Sequence, residues 1–456
     1  MKSYAFVGLG GRSANFYEAL CQKYKDNSVI VSVCEKNQGR LNLAHNYIKN
    51  VFPQCESYLE TEFDEMLRRH KPDCVIVCTI DRYHDDYICR ALEAGCDVIT
   101  EKPMTIDENR CQRIIDTVKK TNRKVQVTFN YRYSPARSQI KQLLMDGVIG
   151  KINSVSFQWN LDTSHGADYF RRWHRMKRNS GGLLVHKSTH HFDLVNWWLG
   201  DVPSKVYAVA KRQFYTEAQA DRYGLTSHGK RCYECSVSSK CNFYLDMTKY
   251  DSLKNLYLDN EKYDGYYRDS CIFTEDGNIE DTMNVIVDYR NGAVMTYCLN
   301  AFQPWEGYKI EFNGTKGRLE HTCRESSYIN GDGSVQGEFL QNGTDITVYP
   351  HFRTPYSVEI DKIEGGHGGG DPMMLEDIFG IKKEDGLGKY ADYIQGSYSI
   401  LVGIAANKSI ETDKPVYLRD LVNGLGEPGY PINNGQDEYI EFVSDAKYKH
   451  EMSLKN

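Results

Sequence analysis

"SYAFVGLGGRS", residues 3–13, decides the fold. A short apolar run ends at Gly8, Gly10 and Gly11, and a helical pattern follows through Leu20. A glycine turn between a strand and a helix lets backbone N–H groups and the helix N-terminus approach a pyrophosphate. Arg12 sits in this turn, and the last position of the fingerprint is Ser13 rather than Gly or Ala. The second strand, "VIVSVCE" (29–35), ends at Glu35. A carboxylate there accepts hydrogen bonds from a ribose 2′-OH and repels a 2′-phosphate, which favours NAD over NADP. Lys36 and Arg40 are the nearby residues that would suit NADP.

The pattern around this turn is regular. "PDCVIVCT" (72–79) is a continuous apolar strand, as burial on both faces requires. The helical stretch "YHDDYICRALEAG" leads to "DVITEKP" (97–103), and "NRCQRIIDTVKKTN" leads to "KVQVTFN" (124–130). Alternating strands and helices predict a parallel, doubly wound sheet over residues 1–129. Beyond Asn130 the segments "SVSFQWNL", "KVYAVAKRQF", "MNVIVDYRNGAVMTYCLNAF" and "YKIEFNGTKGRLEH" alternate with period two. Two of them turn through Asn-Gly and Gly-Thr-Lys-Gly. They predict an α+β domain over 130–425, built on a large, open, mostly antiparallel sheet. An irregular insert at about 215–275 interrupts it, a helix is expected over 386–411, and 426–456 reads as a polar tail.

Composition narrows the function. The chain has 456 residues, 26% charged, with net charge −6 and no dense basic stretch, so a nucleic-acid partner is not expected. No window has the apolar length of a membrane span, and the first residues lack a signal-peptide core. Eight of the fourteen cysteines fall within residues 21–111 at strand- and helix-like positions, as small buried hydrophobes of a reducing compartment would. The expectation is a cytoplasmic protein.

Two stretches carry chemistry. In "ITEKPMT" (99–105), Lys102 follows a strand at the carboxyl edge of the parallel sheet, where ligands bind in such folds. Pro103 fixes the backbone beside it and makes a cis peptide accessible. In "GGLLVHKSTHHFDLVNWWLG" (181–200), His186, His190 and Asp193 share one face if the helix is continuous, and Lys187 and His191 form an adjacent pair. Metal ligation, a buried polar cluster and acid–base catalysis all fit that pattern.

Taken in order, the glycine turn, "CTIDRYH" (78–84), "EKP" (101–103), "NYRYSPA" (130–136), "GGLLVHKSTHHFD", "GTKGRLE" (314–320) and "VGIAANKSIETDKPVYLRDL" (402–420) resemble the glucose–fructose oxidoreductase/inositol dehydrogenase/MocA family. The resemblance implies a Rossmann domain followed by an α/β domain whose sheet makes a homodimer or homotetramer contact. It implies hydride exchange between NAD(P) and a sugar or cyclitol carbon. The cofactor residues it implies are Gly8, Gly10, Gly11, Arg12, Ser13, Glu35, Thr79, His84, Glu101, Lys102 and Asn130. Lys102 corresponds to the family lysine and His190 to the family histidine, while His186 stands where the family has an aspartate. Lys187 beside it is also outside the general pattern.

The acid–base reading then assigns His190 as the base for a carbinol proton, having an ordinary pKa near neutrality. Lys102 is a cation that stabilises the oxygen. His186 relays a proton or binds a hydroxyl, and Lys187 meets a carboxylate or a further hydroxyl. Arg132, Arg172, Trp173, His174 and Asp193 are expected at the substrate, where Arg and Trp suit a polyol or uronate. The leading expectation is an NAD-dependent sugar, sugar-acid or cyclitol dehydrogenase. A redox-neutral glycosidase or lyase working through a transient keto-sugar is the second, and a nucleotide-sensing binding protein the third.

One motif lies outside this scheme. Cys232, Cys235 and Cys241, in "RCYECSVSSKC", with Cys271 as a fourth member, have spacing for a structural zinc or an iron–sulfur cluster. Loose thiols in a loop are the alternative.

Overall fold

The structure is a computed structural model that describes residues 1–326, 343–361, 368–382 and 384–434. Six parallel strands form the first sheet: β1 (Lys2–Val7), β2 (Ser28–Glu35), β3 (Glu56–Leu59), β4 (Cys74–Val77), β5 (Asp97–Thr100) and β6 (Val125–Val127). Their order is β3-β2-β1-β4-β5-β6, the doubly wound Rossmann arrangement. The continuous apolar run of β4 is buried at every position, as a strand covered by helices on both faces must be.

Local signals set the element ends. Asn37 caps helix Gln38–Lys49 by accepting from the N–H groups of Gly39 and Arg40. Asp107 caps Glu108–Thr121, and Asp392 caps Tyr393–Thr412. This last helix starts later than the 386 expected from sequence. Gly8 has φ +84°, and a Cβ there would lie 2.6 Å from the carbonyl carbon of Cys78. Only glycine lets β1 turn this close to β4.

The second sheet has nine strands: β7 (Ile152–Asp162), β8 (Pro203–Lys211), β9 (Thr282–Tyr289), β10 (Val294–Gln303), β11 (Glu306–Gly314), β12 (Gly317–Ser326), β13 (Thr344–Pro350), β14 (Tyr356–Ser357) and β15 (Val416–Tyr417). Pairing is antiparallel throughout except between β7 and β10, which run parallel. Helices Thr189–Leu199 and Tyr393–Thr412 pack against each other, and the longer one lies on β8. No described helix is long and apolar enough to cross a membrane.

Three expectations are revised. First, residues 181–200 do not form one helix. Leu183–His186 and Thr189–Leu199 are separate, because the N–H groups of Lys187 and Ser188 both donate to the Leu183 carbonyl. The Ser188 hydroxyl meanwhile bonds to that of Tyr297 at 2.9 Å. Secondly, the expected tail begins docked. Lys141 Nζ donates to the Pro431 carbonyl at 2.9 Å, and Asn433 Nδ2 donates to the carbonyls of Trp198 and Leu199. The remainder of that segment, 435–456, lies outside the described residues.

The third revision concerns the cysteines. Cys232, Cys235, Cys241 and Cys271 line one small hollow in the insert. Their sulfurs, however, turn to separate local partners. Cys232 Sγ accepts from Arg171 at 3.3 Å, Cys235 Sγ accepts from the Gly229 N–H at 3.4 Å, and Cys271 Sγ lies 3.5 Å from His228 Nδ1. Among the described residues, no group of three or more His, Cys, Asp or Glu side chains is placed to hold a metal ion, either here or at the histidine helix. The zinc or iron–sulfur expectation is therefore not supported.

Candidate active site

The carboxyl ends of β1, β2, β4 and β5 open on a cavity of about 720 Å³, within the range of small-molecule sites. The switch in strand order between β1 and β4 creates this crevice, and the second domain roofs it. Of the residues expected at the cofactor, Gly8, Gly10, Gly11, Arg12, Glu35, Thr79, His84, Glu101, Lys102 and Asn130 line the cavity. Ser13 does not; its hydroxyl turns back to the Gly10 carbonyl at 2.7 Å and closes the turn.

Ion pairs brace this end. Arg12 Nε lies 2.8 Å from Glu101 and its Nη2 lies 3.0 Å from Asp371, tying the glycine turn to the lysine strand and to helix Gly370–Phe379. His84 bridges the carbonyls of Pro103 and Thr79 at 2.8 and 3.1 Å. The Lys102–Pro103 peptide is cis. Glu35 accepts from the N–H groups of Leu9 and Asn37 at 2.6 and 2.9 Å.

Lys102, His186, Lys187 and His190 also line the cavity, with Arg172, Trp173 and His174 on the second-domain side. Lys102 Nζ donates to the His186 carbonyl at 3.1 Å. Burial brings the Lys102 pKa down to about 8; Asp81 and Glu101 resist that fall, while Lys187 and Arg12 reinforce it. The helix break turns His186 towards Asp81, with Nδ1 2.5 Å from Oδ2, whereas His190 stacks on Tyr131 at 4.2 Å between ring centroids. Burial raises the Asp81 carboxyl well above its ordinary range. Burial, then Lys102, Arg172 and Lys187, hold the His186 imidazole well below its own. Both partners shift towards their uncharged forms, which favours a neutral carboxyl–imidazole pair over an ion pair.

Lys187 is engaged rather than free, at 3.3 Å from the Tyr131 hydroxyl and 3.6 Å from Glu306. Burial works to raise the Glu306 pKa, but His165 and Lys187 outweigh it and hold the carboxyl at about 2. Arg172 pairs with Asp168 at 2.8 Å, and Arg268 reaches the same carboxylate at 2.7 Å. The rings of Trp173 and His174 stack at 3.6 Å, with Tyr169 edge-on to His174. This is an aromatic wall with an arginine beside it, suited to a polyhydroxylated ring.

Two expected substrate residues are elsewhere. Arg132 and Asp193 do not reach the cavity; they form a fully buried bidentate pair at 2.7 and 2.5 Å. His191 is also structural, with its ring stacked on Trp159 at 3.9 Å. In their place the fold supplies residues that sequence reasoning did not single out: Asp81, His165, Tyr169, Tyr257 and Asp264 line the cavity, and Glu306 stands behind His165 at 2.7 Å. Asp81 was legible in part, standing in "CTIDRYH" directly after β4. The others come from distant segments that no spacing rule connects.

Residues 2–129 match the model of an oxidoreductase family's NAD-binding Rossmann fold, and residues 141–418 match that of its C-terminal alpha/beta domain. The chain belongs to the Gfo/Idh/MocA oxidoreductase family. This Gfo/Idh/MocA protein is 38% identical over 436 residues to the Bacillus subtilis protein named as oxidoreductase YteT, covering 92% of this chain and 99% of the relative. It is 25% identical over 206 residues to the 2,7-anhydro-N-acetylneuraminate hydratase of Mediterraneibacter gnavus, covering 44% of this chain and 50% of that one. The crystal structure of myo-inositol 2-dehydrogenase from Lactobacillus plantarum shares the fold, with TM-score 0.59 and 16% identity over 91% of this chain and 99% of that one.

Proposed function

We propose that this protein is an NAD-dependent dehydrogenase acting on a hydroxyl-bearing carbon of a sugar, sugar acid or cyclitol. The observation that carries this reading is Lys102, with its pKa brought down to about 8, in one cavity with the glycine turn and His190. The residues fit a dinucleotide. Gly10 and Gly11 leave room at the turn, where an added Cβ would meet nothing nearer than the Tyr257 hydroxyl at 3.9 and 3.6 Å. The turn would hold the pyrophosphate, with the Gly11 N–H exchanging its long 3.4 Å bond to the Tyr257 hydroxyl for one to phosphate, and Glu35 would hold the adenosine ribose. Bound nicotinamide would supply the acceptor for the hydrogen leaving carbon.

Lys102 takes the hydroxyl proton during oxidation and returns it during reduction, while His190 holds the same oxygen. This exchanges the roles expected from sequence, because the buried lysine is poised near neutrality. The pH profile tests the exchange. An ammonium cannot accept a proton, so kcat/KM for oxidation should rise to a plateau with an apparent pKa near 8, and reduction should fall over the same range. If Lys102 acts only as a cation, oxidation instead falls above that pH. The aromatic wall supports a ring substrate, as does the inositol named for the Lactobacillus protein. Exposed Val209, Ile286 and Val294 on one face of the large sheet support a homo-oligomer contact.

A second reading, redox-neutral cleavage through a transient keto-sugar, is favoured by the Asp81–His186 dyad. That dyad is a second proton-handling pair in the same cavity. The deciding experiment incubates the protein with NAD and a panel of sugars, uronates, cyclitols and glycosides, following NADH absorbance and bond cleavage together. Net NADH supports the dehydrogenase, cleavage without net NADH supports the second reading, and neither product with any compound overturns both. NAD should bind more tightly than NADP, and Glu35→Ser should narrow the difference. Calorimetry showing equal or better NADP affinity in the wild type would refute the NAD preference.

A further inference from the structure

Arg40 is the side chain at the adenosine end best suited to a 2′-phosphate, since a guanidinium fork matches phosphate geometry. It is already occupied. Its Nη2 lies 2.5 Å from Asp264 Oδ2 and 3.1 Å from Glu35 Oε1. The three side chains are only 11%, 6% and 7% exposed, and all three line the cavity. Glu35 belongs to β2, but Asp264 comes from the insert, 224 residues beyond Arg40.

The insert is seated here by more than this pair. Asn37 Nδ2 donates to the Asn260 carbonyl at 2.9 Å. The Asn260 side chain lies over Gly39, where an added Cβ would fall 1.7 Å from its Oδ1. The Tyr257 hydroxyl takes the Gly11 N–H at 3.4 Å. Asp264 therefore holds a fixed position against the Rossmann half.

We infer that Asp264 is a cofactor-discriminating residue: it locks Arg40 against Glu35 and so denies a 2′-phosphate the one guanidinium that could receive it. With both carboxylates present, Lys36, Arg40, Glu35 and Asp264 sum to no net charge at this end. Loss of one carboxylate charge leaves an excess positive charge and an arginine free to turn to a phosphate that carries about −1.5 to −2 at neutral pH. NAD has only an uncharged hydroxyl there, which Glu35 still receives, and is little affected. The inference rests on the placement of the adenosine ribose at Glu35, but not on which cofactor the wild type prefers.

The test measures Kd for NAD and for NADP by calorimetry on the full chain, comparing wild type, Asp264→Asn, Asp264→Glu and Asp264→Asn/Arg40→Gln, with Tm as the fold check. Asp264→Asn should tighten NADP by about tenfold while NAD changes by less than about threefold. Asp264→Glu should keep the wild-type ratio, and the double variant should lose the gain because the gain needs Arg40. If Asp264→Asn lowers Tm sharply, Asp264→Ser replaces it with the same expectation. An unchanged NADP-to-NAD ratio, an equal change in both affinities, or a gain that survives loss of Arg40 overturns the inference. The wild-type ratio reports on Glu35 separately, because a wild type that prefers NADP refutes the NAD reading while the ratio shift in the variant still decides the role of Asp264.

Discussion

Lys102→Ala should lower kcat by roughly 10²-fold or more, because general acid–base and electrostatic contributions are each of that size. NAD affinity should stay close to wild type, since the amine touches the His186 carbonyl rather than the glycine turn. Lys102→Arg separates the two roles the lysine could play. An arginine keeps the positive charge but cannot give up its proton near neutrality. If Lys102 transfers the proton, Lys102→Arg should be about as slow as Lys102→Ala, and the rise in rate towards pH 8 should vanish. If the charge alone matters, Lys102→Arg should recover much of the lost rate. His190→Ala should also be slow, without shifting the apparent pKa assigned to the lysine. Wild-type turnover by both alanine variants would remove the catalytic reading and leave a buried polar cluster.

The second large effect is on stability. Arg132 and Asp193 have side chains 0% and 1% exposed, and the guanidinium also donates to Gln395 Oε1 at 2.6 Å and to the Gly388 carbonyl at 3.2 Å. Removing one partner of a buried pair strands the other charge, and such truncations cost about 3–5 kcal/mol. Arg132→Ala should therefore lower the denaturant midpoint by an amount equivalent to that figure. Burial already raises the Asp193 pKa, with Arg132 acting against the shift. Without the arginine the carboxyl is protonated more readily in the folded state than in the unfolded one. A folded-state pKa above the unfolded value favours the fold at low pH, so the deficit should shrink as pH falls through the carboxylate range and grow as pH rises. Denaturation at several pH values checks both size and sign. A loss below about 1 kcal/mol, typical of exposed pairs, would show that the pair is hydrated in solution.

The cysteine motif shows why spacing does not make a ligand set. Cys232, Cys235 and Cys241 have the separations of a thiolate site, yet the sulfurs of Cys232 and Cys235 have found neighbours of their own in an insert that packs Cys232 with Leu245 and Met247. Spacing fixes which residues are close along the chain but not where their side chains point.

What the sequence alone determined is the part governed by nearest neighbours along the chain. The glycine turn and the doubly buried strand Cys74–Val77 follow from hydrophobic period and backbone freedom. These sufficed for the doubly wound arrangement, for strands β7–β12 of the second sheet and for the position of Lys102, whereas β3 and β13–β15 appear only in the structure. Tertiary structure decided how the charged groups pair. Arg132 and Asp193 left the site for the core, Asp81 met His186 across 105 residues, and Asp264 reached Arg40 from the insert. The break after His186 likewise depends on Tyr297 holding Ser188. A buried charge must find a partner or lose its proton, and the fold, not the local pattern, brings that partner within reach.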